Sequence, residues 1–230
     1  MSVSCDLHLH SCLSPCADND MTPFDLVGMS AVNGLELVAL TDHNSARNCP
    51  AAAAAAAEYG IGFIPGMEVT TAEDIHVVCL FPSLDAALAF DRVIYDGLPD
   101  IRNKPEIFGE QLLFSPEGHV TGQEPRLLIT GCALSILELP ARIRDYGGLC
   151  YPAHVDREGN GLLATLGGWP PELEMQAAEI HAVLPPGLPD GIRILRGSDA
   201  HRLIDLPSEG CALPLTSPDF DGLRRWIAGD

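Results

Sequence analysis

"VSCDLHLH", residues 3–10, places two histidines at the end of the first strand-like run of the chain. Apolar and polar residues alternate through it, as in a β-strand, and along a strand residues i and i+2 share a face. His8 and His10 are therefore presented side by side at the end of a strand. Near the other end of the chain, "IRILRGSDAH" (192–201) repeats the device, with Asp199 and His201 two apart after a second strand-like run.

Between these two runs strands and helices alternate. "TPFDLVGMSAVNG" (22–34) predicts a helix capped by Thr22 and Asp25, with Pro23 in its first turn and Gly34 past its end. "LELVAL" (35–40) is a strand, and "PAAAAAAAEYG" (50–60) a helix from Pro50 to a stop at Gly60, since alanine is the best helix former. "IGFIPG" (61–66) and "IHVVCLF" (75–81) are strands, and "SLDAALAFDRVIYDG" (83–97) is a helix. Residues 98–130, with four prolines, lose the rhythm and predict an irregular insertion holding one hairpin in "LLFSPEGHVT" (112–121). Ser135 and Glu138 form a second capping box before a helix that Pro140 delays or kinks. "GLCYPAH" (148–154) and "AEIHAVL" (178–184) are strands, and "SPDFDGLRRWIAG" (217–229) is a closing helix with Ser217 as its cap. Six or seven short strands separated by helices imply parallel pairing. With no glycine-rich phosphate loop, a distorted β/α barrel in a single domain over residues 1–230 fits better than an open sheet.

The polar residues that border these strands define one candidate site. His43 follows "LVALTD", Glu68 follows "FIPGM", His76 opens "HVVCLF" and His154 follows "LCYPA". In a β/α barrel the strand ends converge on one rim, where these groups would meet His8, His10, Asp199 and His201. Singly, each has a plain explanation as a cap, a turn or a satisfied core histidine. One multinuclear metal centre explains them together.

Composition narrows the function. The 13 Lys+Arg against 32 Asp+Glu give a net charge of −19, which opposes a long nucleic-acid partner; three divalent ions (+6) would still leave −13. No apolar run is long enough for a membrane span and the N-terminus lacks a signal pattern, so a cytoplasmic protein with no membrane and no obligate protein partner is expected. Eight cysteines contain no C-x2-C pair, which opposes both a disulfide scaffold and a thiolate zinc clip. Cys5 falls on the opposite strand face from His8 and reads as packing.

In order along the chain, "DLHLHS", "TDHN", "GMEV", "HVVCLF", "PAHVD" and "GSDAH" resemble the motif series of the polymerase and histidinol phosphatase (PHP) family. The resemblance implies an α/β fold, a distorted (β/α)7 TIM-like barrel, and two or three divalent ions (Zn, Mn or Fe). It implies that His8, His10, Glu68 and Asp199 hold the first ion, that Glu68 bridges to a second held by His76 and His154, and that His43 and His201 hold a third. Glu68, Asp199 and His201 are then the catalytic candidates, in metal-assisted hydrolysis of a small phosphorylated metabolite, nucleotide or short oligonucleotide. The family's usual ligand shortly after His-x-His is missing from "SCLSPCADND" (11–20); Asp18 is the candidate for that place, with Asp20 and Cys16 as alternatives. Arg47, Arg157 and Arg202, which follow three of the motifs, are candidate phosphate binders. Asp6 and Asp42 are candidates for orienting the ligand imidazoles. His119 and His181 are not assigned to metals. A PHP-like module that binds metal or a partner without catalysis is the alternative. A carbamylated-lysine amidohydrolase is disfavoured because Lys104, inside the insertion, is the single lysine.

Overall fold

The structure, a computed structural model, describes residues 2–230. It opens with β1 (Val3–Leu9), α1 (Pro23–Val32), β2 (Leu37–Leu40), α2 (Cys49–Tyr59), β3 (Gly62–Thr70), β4 (His76–Leu80) and α3 (Leu84–Gly97). The insertion holds α4 (Pro105–Phe108) and the hairpin of β5 (Leu112–Phe114) and β6 (Val120–Gln123). The chain then runs through α5 (Leu139–Asp145), β7 (Leu149–Pro152), α6 (Leu162–Leu166), β8 (Ala177–Glu179), β9 (Arg193–Leu195), β10 (Cys211–Leu213) and α7 (Phe220–Ala228).

Six strands form a curled sheet in the order β10-β1-β2-β3-β4-β7. The parallel β8–β9 pair stands beside β7, and a bridge between Leu9 and Ala200 returns the circuit to β1, so β1, β2, β3, β4, β7, β8 and β9 form a distorted barrel with β10 flanking β1. Pairing is not uniformly parallel, as alternation alone implies. β4 runs antiparallel to β3 and β7, and β10 antiparallel to β1. Only residues 71–75 join β3 to β4, too few for a crossover, so the chain must turn back as a hairpin. That reversal brings His76, at the start of β4, to the rim where the other strands end.

Two cores flank the sheet. Inside the barrel lie Cys5, Leu7, Ala39, Ile64, Val78, Tyr151, Ala177 and Leu195, with Phe220 and Leu223 of α7. Outside, Leu26 and Val27 of α1, Ala52 and Ala55 of α2, and Phe90 and Ile94 of α3 cover Leu9, Val38, Met67 and Cys79. The expected separation of Cys5 from the histidines fails for a local reason. The β1–β2 register shifts between Asp6 and Leu9, so Leu7 faces the inner core and Leu9 the outer. His8 and His10, on either side of Leu9, therefore face inward like Cys5.

The helix signals are largely obeyed. Thr22 caps α1, Gly60 ends α2 at φ 73°, and Ser135 and Glu138 exchange backbone bonds one turn before α5, which starts at Leu139 with Pro140 in its first turn. For α7 the cap is Asp219, which accepts from Gly222 N–H at 2.8 Å, while Ser217 hydroxyl donates to Asp219. The strands expected over 178–184 and 192–201 are only three residues each, because the chain leaves the sheet to build the rim.

Candidate metal centre

Glu68, on the far half of β3, is the hub. It is fully buried, and its carboxylate meets imidazole nitrogens from four other elements. Oε1 lies 2.9 Å from His76 Nδ1, 3.2 Å from His8 Nε2 and 3.3 Å from His154 Nε2; Oε2 lies 3.0 Å from His43 Nδ1 and 3.4 Å from His10 Nε2. Asp199 Oδ1 is 3.1 Å from His10 Nε2 and 3.4 Å from His8 Nε2. His201 completes the ring, stacked on His10 with centroids 4.2 Å apart. Three overlapping groups have ligand atoms close enough to share an ion: His8, His10, Glu68 and Asp199; His43, Glu68 and His76; and His10, His43 and His201.

Proton placement shows what this arrangement needs. His8 Nδ1 faces the acceptor-only carboxylate of Glu179 at 2.9 and 3.1 Å. His10 Nδ1 faces Ser14 Oγ at 2.9 Å, and Ser14 hydroxyl donates to Asp42 at 2.7 Å, so Ser14 must accept from His10. Both Nδ1 atoms thus carry protons, and the two Nε2 lone pairs point at each other across 3.1 Å, which requires a proton or a cation between them. Both Glu68 oxygens and His43 Nδ1 are buried, close to neighbours, yet have no partner among the described residues along a hydrogen-bond direction. Orphaned lone pairs converging from nitrogen and oxygen donors fit divalent ions such as zinc, manganese or iron.

The electrostatics point the same way. Burial works to raise the Glu68 carboxyl, but His76, His8 and His43 outweigh it and hold Glu68 well below the usual range. Burial likewise opposes ionisation of Asp199, and His8 and His10 keep it well below its ordinary value. For His8, burial is outweighed by Glu179, Glu68 and Asp199, which raise it. Burial, with His201 and His43 adding to it, drives His10 well down.

The supporting chain is strained where it serves the rim. Asn44, His154 and Asp199 have φ of 50°, 28° and 54°, in a region non-glycine residues seldom occupy. Asn44 is held there by its side chain, which donates to Leu128 and Thr130 carbonyls and accepts from Thr70 N–H.

Several anticipated roles fall elsewhere. Asp18 is exposed and outside all three groups; only its backbone N–H engages the site, at 3.0 Å from His201 carbonyl. Cys16 and Asp20 are exposed too and equally outside these groups. Arg47 is bound to Glu124 and Asp91 and lies over the Tyr95 ring, clamping the insertion instead of facing the rim. Arg202 pairs with its neighbour Asp205 on the surface. Arg157 does reach the site, with Nη1 on Asp199 Oδ2 and Nη2 3.1 Å from His181 Nδ1. Asp6 and Asp42 touch no ligand imidazole: Asp6 accepts from His8 and Ser198 backbone N–H, and Asp42 works through Ser14. His119 sits in the hairpin turn, and Lys104 is exposed at the start of α4. Sequence reading missed Glu179 and Ser14. "AEI" looks like ordinary strand and "CLSPC" like loop, and the contacts to His8 and His10 depend on tertiary closure.

Buried histidines and carboxylates around the mouth of a distorted barrel define a class of α/β metal-centre proteins. The chain belongs to the PHP domain family, whose model matches residues 6–122. Over 73 residues it is 41% identical to the 3',5'-nucleoside bisphosphate phosphatase of Chromobacterium violaceum, a match covering 32% of this chain and 25% of that protein. The fold resembles the lesion-specific endonuclease PfuEndoQ of Pyrococcus furiosus, with TM-score 0.71 and 20% identity, over 100% of this chain and 56% of that one. It also resembles an amidohydrolase from Chromobacterium violaceum, with TM-score 0.59 and 20% identity, over 98% and 96% of the two chains. The match thus spans a quarter of the curated phosphatase, and this chain about half of the endonuclease.

Proposed function

We propose that this protein is a metal-dependent phosphoesterase that hydrolyses a small phosphorylated metabolite, nucleotide or short oligonucleotide. The observation that carries the reading is the converging set of orphaned lone pairs around Glu68. His8, His10, Glu68 and Asp199 would hold one ion, His43, Glu68 and His76 a second, and His10, His43 and His201 a third; His154, expected beside His76, lies outside these groups, with Nε2 3.3 Å from Glu68 Oε1. Ions held there would lower the pKa of bound water to about 7 and offset charge on a phosphoryl group.

The chain's own residues supply the rest. Glu68, held well below the usual carboxylate range by its histidines, would supply an anionic ligand common to two of the groups. Asp199 and His201 stand on the open side, with side chains 11% and 23% exposed where Glu68, His8 and His10 are sealed, so substrate must approach over them. Arg157 borders that approach and is placed to take a phosphate oxygen in a charge-assisted bond. A centre this recessed suits a terminal or small phosphate ester. The phosphatase among its relatives and the endonuclease of similar fold make nucleotides the first compounds to try.

Purified protein should contain divalent transition metal by elemental analysis and hydrolyse a generic phosphate ester, and a chelator should abolish turnover. His8→Ala and Asp199→Ala should each lower kcat at least a hundredfold while circular dichroism stays native. Turnover at the wild-type rate in both variants would overturn the assignment. Metal bound with no hydrolysis across nucleoside bisphosphates, histidinol phosphate and short oligonucleotides would favour a binding module.

A further inference from the structure

Glu179 closes β8 and is buried with no lysine or arginine in contact, so its charge is balanced by the groups it faces. Its two oxygens lie 2.9 and 3.1 Å from one atom, His8 Nδ1. Oε1 also accepts from His154 N–H at 3.2 Å, and the Glu179 carbonyl accepts from Val155 N–H at 2.9 Å. One residue therefore grips the ring of a β1 ligand and the backbone of the ligand that follows β7. His154 is the residue held at φ 28°, and its ring stacks on His8 with centroids 6.0 Å apart.

The space for this contact is carved by a glycine. A Cβ on Gly197 would lie 2.5 Å from His8 Cβ and 2.6 Å from Glu179 Oε2, closer than any real contact. Only glycine leaves room there for the ring and the carboxylate together.

We propose that Glu179 is a positioning residue of the centre, which selects the Nδ1–H form of His8 and locks His8 and His154 into one geometry. This rests on the reading of the cluster as a metal site. A neutral imidazole has one N–H, and an ionised carboxylate can only accept. With Glu179 in place the proton sits on Nδ1 and Nε2 is free to ligate. Without it the ring can carry its proton on Nε2, where it blocks the ion, or rotate away. Carboxylate partners of this kind are worth roughly 10–100-fold in metal affinity.

The test compares wild type, Glu179→Ala and Glu179→Gln. Chelator-treated protein is titrated with Zn2+ by calorimetry, and the imidazole nitrogens are followed by 15N NMR with no substrate present. Glu179→Ala should weaken the tightest Zn2+ site 10–100-fold and remove the preference for a proton on His8 Nδ1. Glu179→Gln, which keeps an acceptor oxygen, should restore the Nδ1–H tautomer and most of the affinity, a recovery that simple core repair would not produce. Wild-type affinity in Glu179→Ala would overturn the proposal, as would a wild-type His8 whose Nδ1 carries no proton. Should Glu179→Ala not fold, the wild-type tautomer and the Gln variant still decide. If wild type binds no divalent ion at all, the metal reading falls instead, and the tautomer alone judges Glu179.

Discussion

At the scale of single residues, the rim is held by carboxylates that face backbone as much as by those that face the centre. Asp156 accepts from the N–H groups of His181, Ala182 and Val183 at 2.7, 2.7 and 2.9 Å, fixing the loop whose His181 touches Arg157. Burial works against the Asp156 charge, but these three donors lower its carboxyl from 3.8 to about 2. A depressed carboxyl contributes stability that is present above its unfolded value and lost as pH falls through its folded one. The stability gap between wild type and Asp156→Ala, measured by urea denaturation, should therefore be full at pH 6 and shrink from pH 3.8 down to about 2. A gap that stays constant over that window would mean the loop is held by something else. Legibility at this scale followed chemistry. The histidines, Glu68 and Asp199 could be picked out because their residue types are uncommon at strand ends, whereas Glu179 could not, since its partner His8 lies 171 positions away.

Among the elements, caps and polarity carry the lessons. Ser217 and Asp219 both suit the start of α7, and sequence alone favours the residue just before Pro218. The helix starts at Phe220 instead, so Asp219 is the residue whose oxygen reaches Gly222 N–H. Asp219→Ala should cost about 1 kcal/mol in urea denaturation, the usual worth of a lost N-cap, and Ser217→Ala clearly less. Equal losses would return the cap to Ser217. The hairpin at 112–123 was readable because the turn residues Ser115 to Gly118 separate the apolar run of β5 from the β-branched start of β6. The direction of β4 was not, because apolar patterning is blind to polarity and only the length of the 71–75 link sets it. The inward turn of His8 and His10 was equally hidden, as it depends on a register shift that alternation does not encode. These two hidden features still place the same residues at the same rim, so the convergence of their side chains could be anticipated although the path to it was wrong in part.

For the whole molecule, charge and access act together. The chain carries −19, and the histidine–carboxylate cluster is most open past Asp199, His201 and Arg157. A polyanion approaching this surface is repelled over a Debye length of about 10 Å at 0.1 M salt, while a mononucleotide carries less charge into the same field. Proteins that grip nucleic acid through a basic stripe bind more weakly as salt rises, because counterions are released on binding. The opposite dependence is expected here. Raising salt from 0.05 to 0.2 M should increase kcat/KM for an oligonucleotide of about ten residues by screening repulsion, and should change kcat/KM for a nucleoside bisphosphate much less. The comparison needs matched metal loading, since bound ions would offset only part of the −19. A steep fall with salt for the oligonucleotide would instead show that Arg157 and its neighbours dominate the local field and that nucleic acid is gripped directly.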